Sequence, residues 1–207
     1  MKILAVADLH SQFSNLKKIL GNVDFDVLLI AGDITNFKDE DVFKVDELIS
    51  GFVDRCYAIH GNCDSEKILS YELDSIEFIH KRSLKIEDFT LHGLGGSGIT
   101  PFRTLSEYTD EQIENIILNF KLENSFDVLL SHCPPKGVLD LTNKGINAGC
   151  EAIRKHAKKF KLIICGHIHE AFGIYRGEYI AVNPGPAFSG RYALIETENL
   201  KVETFKI

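Results

Sequence analysis

Seven side chains of this sequence are of types that bind divalent metal ions, and each stands just beyond a short apolar run. They are Asp8 and His10 in Ala7-Asp8-Leu9-His10, Asp33 in Gly32-Asp33, Asn62 in His60-Gly61-Asn62-Cys63-Asp64, His132 in Ser131-His132, and His167 and His169 in Gly166-His167-Ile168-His169. Two Asp, four His and one Asn are too many donors for one tetrahedral ion. Oxygen mixed with imidazole nitrogen suits Mn, Fe, Zn, Co or Ni rather than a thiolate-preferring metal. Two ions are the natural solution, because a shared carboxylate can bridge cations ~3.5–4 Å apart, the spacing of two-metal hydrolytic sites.

The elements that must position these residues are legible from periodicity. Lys2 to Ala7 and Asp26 to Ala31 are apolar runs without polar alternation, as expected of strands buried on both faces. Between them Phe13, Leu16, Ile19 and Leu20 recur at helical spacing, which makes a β-α-β unit. Val42, Val45, Ile49 and Phe52 share a second helical face before a strand from Arg55 to Ile59. A short helix around Lys67 to Tyr71 leads to segments near Glu77, Leu84 and Thr90 that read as a strand meander, closed by a glycine-rich turn from Gly93 to Gly98. Ile113, Ile116, Ile117 and Phe120 predict a helix over about 110–122. A strand at 127–130, a helix near 150–160, a strand at 161–165 and two or three closing strands from Gly173 complete an α/β chain. Open α/β sheets place ligands beyond the carboxyl ends of their strands, so the five acid- and histidine-bearing ends are expected in one crevice.

At 207 residues, with no Pro/Gly/Ser-rich linker, the chain is expected to form a single domain, 1–207. Its net charge of −7 disfavours long nucleic acid as a substrate. Five cysteines, with no CxxC pair and no secretory signal, point to reduced thiols, with Cys56 and Cys165 packed in strands. No apolar stretch approaches the ~18 residues of a membrane span, and a cytoplasmic, soluble protein is expected. The run Arg154 to Lys159 reads as a solvated helix face, since no aromatic residues are interleaved for base stacking.

The set Asp8-x-His10, Gly32-Asp33, Gly61-Asn62-x-Asp64, His132 and Gly166-His167-x-His169 resembles, in order, the five motifs of the calcineurin-like metallophosphoesterases. The resemblance implies two packed mixed β-sheets flanked by helices, an α/β/β/α sandwich. It implies that Asp8, His10 and His169 hold one metal, that Asn62, His132 and His167 hold a second, and that Asp33 bridges. Mn is the first expectation for both ions, with Fe, Zn, Ni or Co as alternatives. A second, looser likeness, in His132-Cys133-Pro134-Pro135-Lys136-Gly137, Asp140, Gly149-Cys150 and His169 to Gly173, is to the family's small phosphodiesterase branch. The expected reaction is attack of a water or hydroxide held between the metals on a small-molecule phosphodiester, with Asn62, His132 and Asp33 as the catalytic set. A phosphomonoesterase or nucleotidase with the same site, or a noncatalytic metal-binding scaffold, are the alternatives, and a homo-oligomer is left open.

Three neighbours have lesser expected roles. Cys63 stands where many family members carry a histidine that assists the leaving group, and a neutral thiol is a poor replacement. His60 is a stand-in candidate or a structural strand-end residue. Asp64, directly before a short helix, reads first as its N-cap and second as support for the site. Pro134 and Pro135 are expected to shape the loop that holds the His132 imidazole toward the metals.

Overall fold

The computed structural model describes residues 1–123 and 126–207. Two six-stranded mixed sheets pack face to face. The first is built from β1 (Lys2–Val6), β2 (Val27–Ala31), β3 (Cys56–Ile59), β4 (Ile76–Phe78), β13 (Arg191–Glu196) and β14 (Lys201–Lys206), in the order β14-β13-β1-β2-β3-β4. β1 to β4 run parallel, while β13 and β14 close the edge antiparallel. The second is built from β5 (Ser83–Ile86), β6 (Phe89–Leu94), β9 (Asp127–Ser131), β10 (Leu162–Ile164), β11 (Gly173–Arg176) and β12 (Ile180–Asn183), in the order β11-β12-β10-β9-β6-β5. A two-stranded ribbon, β7 (Ser97–Gly98) with β8 (Glu107–Tyr108), brackets a loop between them.

Strand alternation explains the layering. Ile3, Ala5 and Ala7 of the first sheet face Val128, Leu130 and Ile164 of the second in the inter-sheet core. The opposite face of β1 and β2, through Leu4, Val6, Leu28 and Ile30, is covered by α1 (Ser14–Asn22) and α2 (Asp41–Ile49). The outer face of β9 and β10, through Leu129 and Ile163, is covered by α3 (Asp110–Leu118) and α4 (Glu151–His156). The expected helix–sheet–sheet–helix sandwich is the architecture found. No helix among the described residues is long and apolar enough to cross a membrane, and all five cysteines are buried free thiols.

Several local expectations are corrected. The segments near Glu77, Leu84 and Thr90 are not one meander. β4 joins the first sheet beside β3, whereas β5 and β6 form a hairpin in the second. The second helix ends at Ile49, leaving Phe52 outside it and 41% exposed, and α3 ends at Leu118. Four strands, not two or three, follow Gly173.

Candidate metal centre

The C-terminal ends of β1, β2 and β3 in one sheet and of β9 and β10 in the other open toward a common edge, and the seven predicted ligands gather there. On one side His10 Nε2 lies 3.2 Å from His169 Nε2, and His169 Nε2 lies 3.7 Å from Asp8 Oδ1. On the other side His132 Nε2 is 3.0 Å from Asn62 Oδ1, and the His132 and His167 rings meet edge to face at 5.0 Å between centroids. Asp33 stands between the halves. Its Oδ2 is 3.6 Å from His10 Nε2 and its Oδ1 is 3.5 Å from His132 Nε2. Each carboxylate oxygen thus faces a different group of donors.

The backbone bends unusually to achieve this. Asp8, His10, Asp33 and His167 all have left-handed φ values, of 56°, 44°, 48° and 68°. For non-glycine residues such conformations cost on the order of 1–3 kcal/mol each and persist where surrounding structure over-determines them. Here the fastenings are visible: Asp8 N–H donates to Gly32 O at 3.0 Å, His10 N–H to Asp33 O at 2.9 Å, and Gly166 N–H to His132 O at 3.0 Å. The glycines of the motifs are required by close approach. A Cβ on Gly61 would sit 2.0 Å from Asp33 Oδ1, and one on Gly32 would sit 2.5 Å from His132 Nδ1.

Electrostatics follow from the packing. Burial would raise the Asp33 pKa, but the His132 imidazole, then His10 and the Cys63 amide, outweigh it and hold the carboxyl well below the usual range. Burial would lower His132, but the charge of Asp33 wins and lifts it to about 9. Burial dominates at His10, which is lowered, and at His167, which it lowers to about 4 with help from His132. At His169 the opposing effect of burial is overcome by Asp8, and the pKa rises. Without a cation, the centre therefore keeps a proton on His132 at neutral pH, one that an incoming metal must displace.

A cation fits this centre on two observations. Asp8 is completely buried and its Oδ2 has no hydrogen-bond partner, a costly state for an anionic oxygen unless a positive charge answers it. His132 Nδ1 lies 2.8 Å from the Ala31 carbonyl. With its proton donated there, Nε2 is left as the ligating lone pair, the support that metal-bound histidines ordinarily have.

The three neighbours are placed differently from one another. Asp64 is fully buried; its Oδ2 accepts from Ile34 N–H at 3.1 Å and Gly61 N–H at 2.8 Å, and its Oδ1 from Thr35 N–H at 2.7 Å. It clamps the loop of Asp33 to the loop of Asn62, and the N-cap of the following 3₁₀ turn is Ser65 instead. Cys63 lies beside the candidate ligands, its Sγ grouped with His10 and Asp33 donor atoms. Burial, then the charge of Asp33, pushes its thiol well up, so it stays protonated. His60 has no exposure and turns away, its Nε2 3.1 Å from Tyr108 Oη, which corrects its reading as a stand-in proton donor lining the crevice.

Sequence reasoning missed the partners of His60. His80 Nδ1 accepts from Gly95 N–H at 2.9 Å, so its Nε2 carries the proton and faces Tyr108 Oη at 3.4 Å. Tyr108 in turn donates to Glu66. Burial, the leading cause at both rings, lowers His60 and His80 to about 3. Tyr108 Oη thus links both rings to Glu66, while the buried His60 Nδ1 has no hydrogen-bond partner. Also missed were Phe188, whose ring lies 5.8 Å from His10 and 5.4 Å from His169, and Asn183, whose Nδ2 donates to Ile168 O at 2.9 Å. The one signal for Asn183 was its place at a strand end before Pro184-Gly185.

Comparison with known proteins agrees with the geometry. The family model described as calcineurin-like phosphoesterase matches residues 1–171. An uncharacterized protein of Methanocaldococcus jannaschii, MJ1162, is 38% identical over 201 residues, covering 90% of this chain and 88% of that protein. Among solved structures, one crystal structure superposes with a TM-score of 0.82 at 20% identity, over 99% of this chain and 98% of its own. A novel archaeal phosphodiesterase superposes with a TM-score of 0.56 at 15% identity, over 100% of each chain. At those identities the two structures speak for the fold.

Proposed function

The chain belongs to the calcineurin-like phosphoesterase family, and on that premise we propose that it is a phosphodiesterase that binds two divalent metal ions, Mn first among them, and hydrolyses a small-molecule diester. The observation that carries this reading is Asp33, whose two oxygens face two separate sets of donors, His10 with Asp8 and His169 on one side and His132 with Asn62 and His167 on the other. When bound, the two ions supply a water of lowered pKa and neutralise charge on the phosphoryl oxygens.

The chain's own residues supply placement. Asp33 spans the two sets, and the Ala31 carbonyl aims His132. Asn62 faces both the ligand cluster and the adjoining cavity, in position to orient a phosphoryl oxygen. Cys63, held as a thiol, is a weak acid, so esters with good leaving groups are favoured over those needing a proton donor. Diesters are favoured because the cavity beside the ligands is lined by one cation, Lys136, and by no arginine, which leaves little to answer the second charge of a monoester. The fold is shared with the archaeal phosphodiesterase.

The test is hydrolysis of bis-p-nitrophenyl phosphate and p-nitrophenyl phosphate by metal-stripped protein resupplied with Mn²⁺, beside Asp33→Asn. Metal-dependent cleavage of the diester, lost in the variant, is expected. Faster cleavage of the monoester would make the protein a phosphomonoesterase, and metal binding without turnover of either ester would make it a binding protein.

A further inference from the structure

Beside the candidate metal centre lies a cavity of about 620 Å³, to which Asn62 and His167 contribute wall. This is within the range of small-molecule sites. Because the ligand cluster and the cavity share Asn62 and His167, a phosphoryl group held at the cluster lies within reach of this space for one of its substituents. What the cavity offers that substituent can be read by subtraction.

Most polar side chains in its wall are already engaged. Thr100 Oγ1 donates to Glu107 at 2.5 Å, Thr142 Oγ1 to the Ile146 carbonyl at 3.1 Å, and Asn147 Nδ2 to Asp140 at 2.9 Å. Tyr108 Oη is taken by Glu66, and Thr109 Oγ1 caps α3. Apart from Asn62 and His167 on the side of the ligand cluster and the charged Asp110, Lys136 and Glu151, the rest of the wall is mainly apolar. Ile99 is 68% exposed and Phe102 79% exposed, with Pro101 between them, on the loop bracketed by β7 and β8. Large apolar side chains this exposed beside a reaction centre mark a binding surface more than a chance of packing.

The loop is also fixed in place. Leu105 N–H and Ser106 N–H both donate to the Asn62 carbonyl, at 2.9 and 3.2 Å, and Ser106 Oγ donates to Asp64 O at 2.6 Å. Inside the loop, Glu107 accepts from the amides and hydroxyls of both Thr100 and Thr104. The apolar wall is therefore preformed and tied through its backbone to Asn62. Asp110 and Glu151 against the single Lys136 leave the lining net negative, which disfavours a substituent carrying further phosphates.

We propose that this cavity selects the substrate: the protein prefers diesters whose non-leaving substituent is an uncharged aromatic group, seated on Ile99, Pro101 and Phe102. The inference rests on the phosphodiesterase reading above for its link to turnover, and its test is chosen to separate the two. Two diesters with the same leaving group, bis-p-nitrophenyl phosphate and methyl p-nitrophenyl phosphate, are compared in the Mn²⁺-loaded protein. In parallel, binding of diphenyl phosphate and dimethyl phosphate is measured by calorimetry. Wild type is expected to favour the aryl compound in both assays. Phe102→Ala is expected to reduce each aryl-to-methyl preference about tenfold, the equivalent of ~1.4 kcal/mol. Glu107→Ala, which unfastens the loop, should reduce both as well, whereas Phe43→Ala, on α2 and not part of the cavity wall, should leave them where they are. Preferences equal in wild type and Phe102→Ala would overturn the inference, whether or not esters are cleaved. Aryl-selective binding that Phe102→Ala abolishes, without turnover of any ester, would sustain the cavity assignment and overturn the phosphodiesterase reading.

Discussion

Replacing Asp64 by Ala removes the acceptor shared by three backbone N–H groups, those of Ile34, Thr35 and Gly61, at 3.1, 2.7 and 2.8 Å. Each buried donor left unpaired costs ~1–3 kcal/mol. Water entering the vacated space would satisfy part of the loss, so a net destabilisation of about 4 kcal/mol is expected, a large share of the ~5–15 kcal/mol available to a domain. The measurement is urea unfolding followed by circular dichroism, with chelator in excess so that metal binding does not contribute. It is made at pH 8, where the Asp64 carboxyl is ionised although burial and Asp33 raise its pKa to about 6. Asp64→Asn, which keeps one oxygen acceptor, should lose about half as much. Because the clamp joins the loops of Asp33 and Asn62, Mn²⁺ affinity in both variants should fall on the order of 10–100-fold, as for other residues that support metal ligands. If chelated Asp64→Ala unfolds within ~0.5 kcal/mol of wild type while hydrolysis disappears, Asp64 acts in the chemistry and the clamp assignment is wrong.

Gly61→Ala should abolish tight metal binding, because its Cβ would press on Asp33 Oδ1 at 2.0 Å. It should also cost ~1–3 kcal/mol or more of stability as overpacking, and a metal titration indistinguishable from wild type would refute the close approach. The chelated protein should lose stability as pH rises. His132 is raised from 6.5 to about 9 in the fold, so its contribution is complete below pH 6.5 and is lost as pH climbs through 9, on the order of 3 kcal/mol in all. His10 and His167, being lowered, act on the acid side of 6.5, and His169, being raised, acts in the same direction as His132. Metal affinity should move oppositely, strengthening with pH as the His132 proton leaves, and thermal melts with and without Mn²⁺ across pH 6.5–9 check both trends.

The sheet cores and the gathering of the seven candidate side chains were legible because each rests on a local pattern. β1 and β2 are unbroken apolar runs, and every predicted ligand stands at or just past the end of such a run. The partition of strands between sheets was not legible. β4 and β5 are three and four residues long, and a short half-buried strand carries no record of which partner it pairs with. Asp64 looked like a helix cap because Asp before a helix usually is one; its three amide partners include two from a loop thirty residues away. His80, Glu66 and Tyr108 carry no motif, and only the fold brings them to His60. The loop from Gly98 to Ser106 was likewise silent, since nothing local to Ile99 or Phe102 shows that the fold leaves them exposed.

Anomalous diffraction from crystals soaked in Mn²⁺ tests the two-metal assignment most directly. Two peaks ~3.5–4 Å apart are expected, one contacted by Asp8, His10 and His169, the other by Asn62, His132 and His167, with Asp33 between them. A single peak at full occupancy, or density centred away from Asp33, would contradict it.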